Sequence, residues 1–283
     1  MEAMRISHVT AGDLTWRIAE TGREGPPVVF LHGFTGSGGF WSPIAERLAP
    51  RHCVLPDLPG HGRTAAPLAA GPWDLDRAAT ALADALERIG IGPCDLVGYS
   101  MGGRLALHLA LQDGSRFRRL ALVGASPGLD SAKERAERMA ADEELSRLLE
   151  TDGIGEFVSR WEALPLFATQ RELPSEQRDA MRAMRLEQDS HALAAALRAF
   201  GVGAQRPLGP ALGRLQMPVL LVAGGRDSKY CQIIERMREG IAGAHTEVVT
   251  DSGHAVSLER PEEFTAILAP FLSPAVPKEE TSR

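Results

Sequence analysis

A serine sits between two glycines in Gly98-Tyr99-Ser100-Met101-Gly102, after the mostly apolar Cys94–Gly98 and ahead of the apolar, helix-spaced Leu105–Leu111. At so tight a strand-to-helix turn, glycines stand where a Cβ would collide, and the serine hydroxyl is left exposed above the strand ends. A serine used this way needs a histidine to take its proton and a carboxylate to orient that histidine. Asp227 closes the apolar run MPVLLVAGGRD and His254 closes HTEVVTDSGH, giving the chain order serine, acid, base. Asp251 is the local rival to Asp227, and a helix N-cap is the other role open to either aspartate. Of the remaining histidines, His32 belongs to the loop after an earlier strand and His61 to the turn after Gly60. His108 lies mid-helix, while His8, His52, His191 and His245 have surface or edge settings.

Acyl or enolate chemistry at such a serine also needs donors for a developing oxyanion. The backbone N–H of Met101, just after the serine, and that of Phe34, in the glycine-rich HGFTGSGG, are the expected pair. That loop is not a dinucleotide fingerprint, because the third glycine position holds Trp41. No GxxxxGK, no HExxH and no Cys/His metal spacing occurs, so neither metal nor organic cofactor is expected. Arg104 follows Ser100 by four residues and therefore shares its helix face, while its neighbours read as core. A buried guanidinium needs a partner. An anionic ligand would satisfy it with bidentate hydrogen bonds; pairing with a buried carboxylate, or reaching to the rim, are the structural alternatives.

Around these residues short apolar runs alternate with helices. A hairpin around Ala11-Gly12-Asp13 comes first, then runs ending in His32-Gly33-Phe34 and in Asp57-Leu58-Pro59. WDLDRAATALADALERIGI places Leu75, Ala78, Leu82, Leu86 and Ile89 on one helical face and stops at Gly90. The pattern predicts an α/β chain with a doubly wound, mostly parallel sheet covered on both faces. Between 131 and 200 only Thr151, Ile154, Val158 and Thr169 are β-branched, so 131–205 is expected to be an all-helical insertion. It divides a core of 1–130 and 206–272, and 273–283 reads as a disordered polar tail.

The chain has 283 residues, 44% hydrophobic, with 31 Lys and Arg against 37 Asp and Glu for a net charge of −6. No basic stretch suits nucleic acid, and three unclustered cysteines suit reduced thiols. With neither a secretory h-region nor a membrane-length apolar run, no membrane insertion and a cytoplasmic location are expected. Oligomeric state is not readable from the sequence.

FLHGFTGS, DLPGHG, GYSMGG, GGRD and SGHAVSLERPEEF together resemble the α/β-hydrolase superfamily, whose fold carries esterases, thioesterases, C–C hydrolases, lyases and receptors. Within it, GYSMGGRLAL, SPGLDSAKERAER, RWEALPLF, AMRLEQ and GGRDSKY are similar to the 2-succinyl-6-hydroxy-2,4-cyclohexadiene-1-carboxylate synthases of menaquinone biosynthesis. That resemblance implies a helical cap over the site and a small polycarboxylate substrate. It implies substrate-binding roles for Tyr99, Arg104, Arg138, Trp161 and Arg185, with Phe167 in the tryptophan segment. The implied reaction is elimination of pyruvate, with Ser100 deprotonated through His254 acting as the base. A serine hydrolase working through an acyl-enzyme and a ligand receptor on the same fold are the alternatives. No obvious exposed apolar patch in 131–205 favours the receptor.

Overall fold

The computed structural model describes residues 4–64 and 73–273, so the expected tail lies outside the described residues apart from Ser273. Eight strands form one sheet in the order β1-β2-β4-β3-β5-β6-β7-β8. β1 (Arg5–Ala11) and β2 (Leu14–Thr21) make the expected antiparallel hairpin. Gly12 and Asp13 turn it with φ of 58° and 65°, the positive values that match the twist of paired strands. β2 runs antiparallel to β4 (Arg51–Pro56). From β4 through β3 (Glu24–Leu31), β5 (Cys94–Tyr99), β6 (Phe117–Val123), β7 (Val219–Gly224) and β8 (His245–Val249), all neighbours are parallel.

The uninterrupted apolar runs have a simple cause. Every residue of β5 and β7 is buried, because helices cover both faces of the sheet. Along β3 the side chains alternate. Val29 and Leu31 join the core under α2 (Leu75–Arg88) and α3 (Met101–Gln112), whereas Val28 and Phe30 face α1 (Ser42–Arg47) and its preceding turn. Asp74 caps α2 by accepting from the Arg77 N–H, which fixes where the helix starts.

Between β6 and β7 the described chain is helical, with no strand. α4 (Ala132–Thr151), α5 (Gly153–Ala163), a 3-10 stretch (Pro165–Glu172), α6 (Ser175–Leu186) and α7 (Ser190–Phe200) follow one another. Leu149, Phe157, Trp161 and Leu193 give these helices an apolar core of their own, and Phe34 from the sheet side packs against it. Leaving and returning chain meet where the Leu208 N–H donates to Pro127 O at 2.7 Å. Beside that point Arg206 grips Asp76 of α2 with two hydrogen bonds, and His108 of α3 bonds the same carboxylate. α8 (Ser228–Gly240) returns to the α2/α3 side, and α9 (Val256–Glu259) with α10 (Pro261–Leu272) closes the α1 side.

The start of α3 lies hard against the sheet: a Cβ on Gly102 would sit 2.3 Å from Leu31 O and 2.5 Å from His32 O. Backbone cannot yield as a side chain does. Gly102→Ala is therefore expected to destabilise the protein by about 1–3 kcal/mol, the usual cost of overpacking. Urea unfolding measures this, and an unchanged midpoint would show that α3 can slide outward.

Candidate active site

Ser100 occupies the turn between β5 and α3 with φ of 51°, a left-handed value that a non-glycine residue adopts only under constraint. Its N–H donates to Val123 O at 2.9 Å, which fixes the turn against β6. Gly98 and Gly103 make the approach possible, since a Cβ on Gly98 would meet Gly103 Cα at 2.6 Å.

His254 lies in the loop between β8 and α9, buried, with its Nε2 3.1 Å from Ser100 Oγ and its Nδ1 2.8 Å from Asp227 Oδ2. The carboxylate fixes the tautomer: Nδ1–H donates to Asp227, leaving the Nε2 lone pair for the serine proton. Asp227 serves its helix as well, because its Oδ1 accepts from the Tyr230 N–H and caps α8. The two roles foreseen for this aspartate coexist, one oxygen for each. Asp251, the rival, is exposed in the preceding turn.

Glu259, which has no role in the sequence reading, holds the histidine loop. Buried at 5% exposure, its carboxylate accepts from the Gly253 N–H at 2.7 Å and the Ala255 N–H at 3.2 Å, straddling His254. The residue lies inside the SGHAVSLERPEEF segment, but nothing in its spacing announces two backbone bonds.

The loop after β3 is shaped by His32. Its Nδ1–H donates to Gly33 O at 2.7 Å, and its Nε2 accepts from the Leu58 N–H at 2.9 Å. Burial pushes this imidazole down to about 4, so it is neutral at physiological pH, as both bonds require. Below it the Asp57 carboxylate takes the Gly38 and Arg63 N–H groups, tying the loop to the following turn. His61 sits in the turn after Gly60, its N–H donating to Leu58 O at 2.9 Å, and its buried ring lies edge-on against Phe34 at 5.3 Å. The N–H groups of Phe34 and Met101 have no protein acceptor among the described residues.

One cavity of about 140 Å³ gathers the residues singled out in the sequence. Phe34, Tyr99, Ser100, Met101, Arg104, Arg138, Trp161, Arg185 and His254 all line it, with Asp227 behind His254. Tyr99 stacks on Phe40 at 5.1 Å, and burial raises its phenol well above the ordinary tyrosine range. Trp161 stacks on Phe157 at 5.5 Å, so it belongs to the helical core and to the cavity at once. Tyr230, which the sequence did not single out, packs against the His254 ring at 4.5 Å.

The three arginines differ in their partners. Arg138 is bonded to Asp142 on the same helix, at 2.9 and 2.7 Å. Arg185 is bonded to Glu162 at 2.8 Å and Gln170 at 3.0 Å, over the Phe167 ring. Arg104 donates to Gln205 Oε1 at 3.1 Å and, among the described residues, has no carboxylate within ion-pair distance. Burial lowers its guanidinium to about 10, which leaves it charged at neutral pH. Among the described residues no group of three His, Cys, Asp or Glu side chains could hold a metal ion.

A family model for the α/β hydrolase fold matches residues 26–261. A Salmonella schwarzengrund protein named 2-succinyl-6-hydroxy-2,4-cyclohexadiene-1-carboxylate synthase is 34% identical over 247 residues, 87% of this chain and 94% of that one. A Bacillus subtilis protein that carries the same name provisionally is 34% identical over 272 residues, 95% of this chain and 99% of that one. The structure of MenH from S. aureus superposes with a TM-score of 0.86 at 34% identity, covering 91% of this chain and 97% of that chain.

His254→Ala is expected to slow turnover about 10²- to 10⁴-fold, the usual worth of a general base. Phosphorylation of Ser100 by diisopropyl fluorophosphate, with loss of fluoride, should slow with it, at little cost in melting temperature. A folded variant that keeps more than about a tenth of either rate would assign the proton transfer to another group.

Proposed function

This chain belongs to the α/β-hydrolase family and, within it, to the 2-succinyl-6-hydroxy-2,4-cyclohexadiene-1-carboxylate synthases; on that premise we propose that it eliminates pyruvate from 2-succinyl-5-enolpyruvyl-6-hydroxy-3-cyclohexene-1-carboxylate. The observation that carries the reading is a hydrogen-bonded Ser100–His254–Asp227 chain facing a cavity whose Arg104 has no carboxylate partner. The first feature moves a proton, and the second calls for an anion.

The substrate and product names fix where bonds change. The 3-ene becomes a 2,4-diene, so a proton leaves ring carbon 2, the double bond shifts, and the C–O bond at carbon 5 breaks. Carbon 2 lies next to the succinyl ketone, and removing its proton gives an enolate. Ser100, its own proton passed to His254 Nε2, is the base in this reading. Asp227 steadies the imidazolium that forms. The unengaged N–H groups of Phe34 and Met101 are the donors for the enolate oxygen. As the diene forms, enolpyruvate departs and takes a proton at carbon to become pyruvate. No oxidant and no acyl-enzyme are needed.

Arg104, Arg138 and Arg185 bind the carboxylates and hold carbon 2 toward the serine, with Tyr99 and Trp161 packing the ring. The helices over 131–205 act as a cap that supplies Arg138, Trp161 and Arg185. No helix among the described residues is long and apolar enough to cross a membrane.

Pyruvate release from the enolpyruvyl substrate, coupled to a dehydrogenase, tests the reaction. Absent pyruvate together with a burst on p-nitrophenyl esters would favour the hydrolase instead. Arg104→Ala is expected to reduce kcat/KM for the polycarboxylate by about 10- to 150-fold, the loss of a charge-assisted hydrogen-bond pair. Its melting temperature should hold or rise, because an uncompensated buried charge is removed. A destabilised variant that loses anionic and neutral substrates equally would make Arg104 scaffold.

A further inference from the structure

Of the arginines on the cavity, Arg138 and Arg185 have their charge offset by Asp142 and Glu162. No aspartate or glutamate among the described residues lines the cavity itself. Arg104 is held instead by an amide, Gln205, which lies in the segment returning from α7 to β7 and is 4% exposed. We infer that Gln205 sets the site's preference for anions: by holding the Arg104 guanidinium through a neutral carbonyl, it leaves that cation's charge free for a substrate carboxylate.

The amide is placed for this and for little else. Facing a guanidinium, which only donates, the side chain must turn its oxygen toward Arg104, and its Nε2 then has no hydrogen-bond partner among the described residues. A half-satisfied buried amide is a stability cost. A glutamate of the same length would offer two acceptors and an opposite charge, and would be the more stabilising partner for the cation. The position therefore carries the weaker partner, a departure from local optimum of the kind found at functional sites. The rotamer is also confined. The Gln205 N–H donates to Gly201 O at 3.2 Å, and a Cβ on Gly128 would come 3.3 Å from the amide nitrogen. Two other charges act on Arg104 and oppose one another: Asp142 favours its cation without an ion pair to it, its Oδ1 being bonded to Arg138, and the Arg138 guanidinium disfavours it.

The inference rests on reading the cavity as a polycarboxylate site, so its test uses binding as well as turnover. Succinate is the probe, titrated calorimetrically into the wild type, Gln205→Glu and Gln205→Met. The glutamate variant should melt higher than the wild type and bind succinate about 10- to 150-fold more weakly, since its carboxylate takes the hydrogen bonds the ligand needs. For the enolpyruvyl substrate the loss should fall on KM more than on kcat. The methionine variant, which removes the acceptor without adding charge, should lose less than the glutamate variant. Equal losses in the two variants, or wild-type succinate affinity in Gln205→Glu, would overturn the inference. So would a glutamate variant that melts lower or fails to fold, because Arg104 was then not free to take the charge. A wild type that binds no succinate overturns it as well. Succinate binding as expected without pyruvate release counts against the proposed reaction alone.

Discussion

The contact between the start of α3 and strands β3 and β5 is the constraint on which the site depends. Three glycines permit it, and a Cβ at Gly98, Gly102 or Gly103 would come within 2.6 Å of a neighbouring atom. The same closeness drives Ser100 into a left-handed conformation, a strain of about 1–3 kcal/mol that the surrounding packing must hold. What the strain yields is position: the hydroxyl stands clear of the strand ends and the Met101 N–H points away from any helical partner. The histidine loop is built on the same principle, since a Cβ on Gly224 would lie 2.0 Å from Gly253 O. Both halves of the Ser100–His254 bond thus rest on backbone packed against backbone, which leaves little freedom to lengthen it.

The carboxylates around the cavity are engaged with groups of the protein. Asp227 turns to His254 Nδ1 and the α8 N-terminus, Glu259 to two backbone N–H groups, Asp142 to Arg138 and Glu162 to Arg185. The wall that a ligand meets therefore sets cations, donors and aromatic rings among aliphatic side chains, with no carboxylate among the described residues. In a protein of net charge −6 this local field is a matter of placement, not of composition.

Much of the fold was legible because the signals were local. Buried strands read as apolar runs, Gly90 marked the end of α2, and the scarcity of β-branched residues marked the helical stretch after β6. The serine, acid and histidine were legible through chain order and strand ends, and Arg104 through its four-residue spacing. Glu259 and Gln205 were not. Their roles come from where the backbone returns in space: Glu259 reaches back six residues to a loop N–H, and Gln205 meets an arginine 101 residues earlier. No periodicity encodes such a meeting. Tyr230 was hidden differently, since a tyrosine in the first turn of a helix reads as ordinary packing until its ring is found on His254.

The cations of the cavity are held in two distinct ways. Arg138 is fixed within α4, and Arg185 is fixed between α6 and α5, so both partnerships lie inside the helical segment between β6 and β7. Arg104 stands on a sheet-packed helix, and its partner comes from the return segment that Arg206 and Leu208 tie to α2 and to Pro127. Hydrogen bonds internal to one unit survive a small shift of that unit, whereas a bond spanning the junction does not. Arg104 is thus the cation most sensitive to how the helical segment is seated, and it is also the one without a carboxylate. The charge the cavity offers to a ligand and the geometry of its junction are coupled through a single neutral amide.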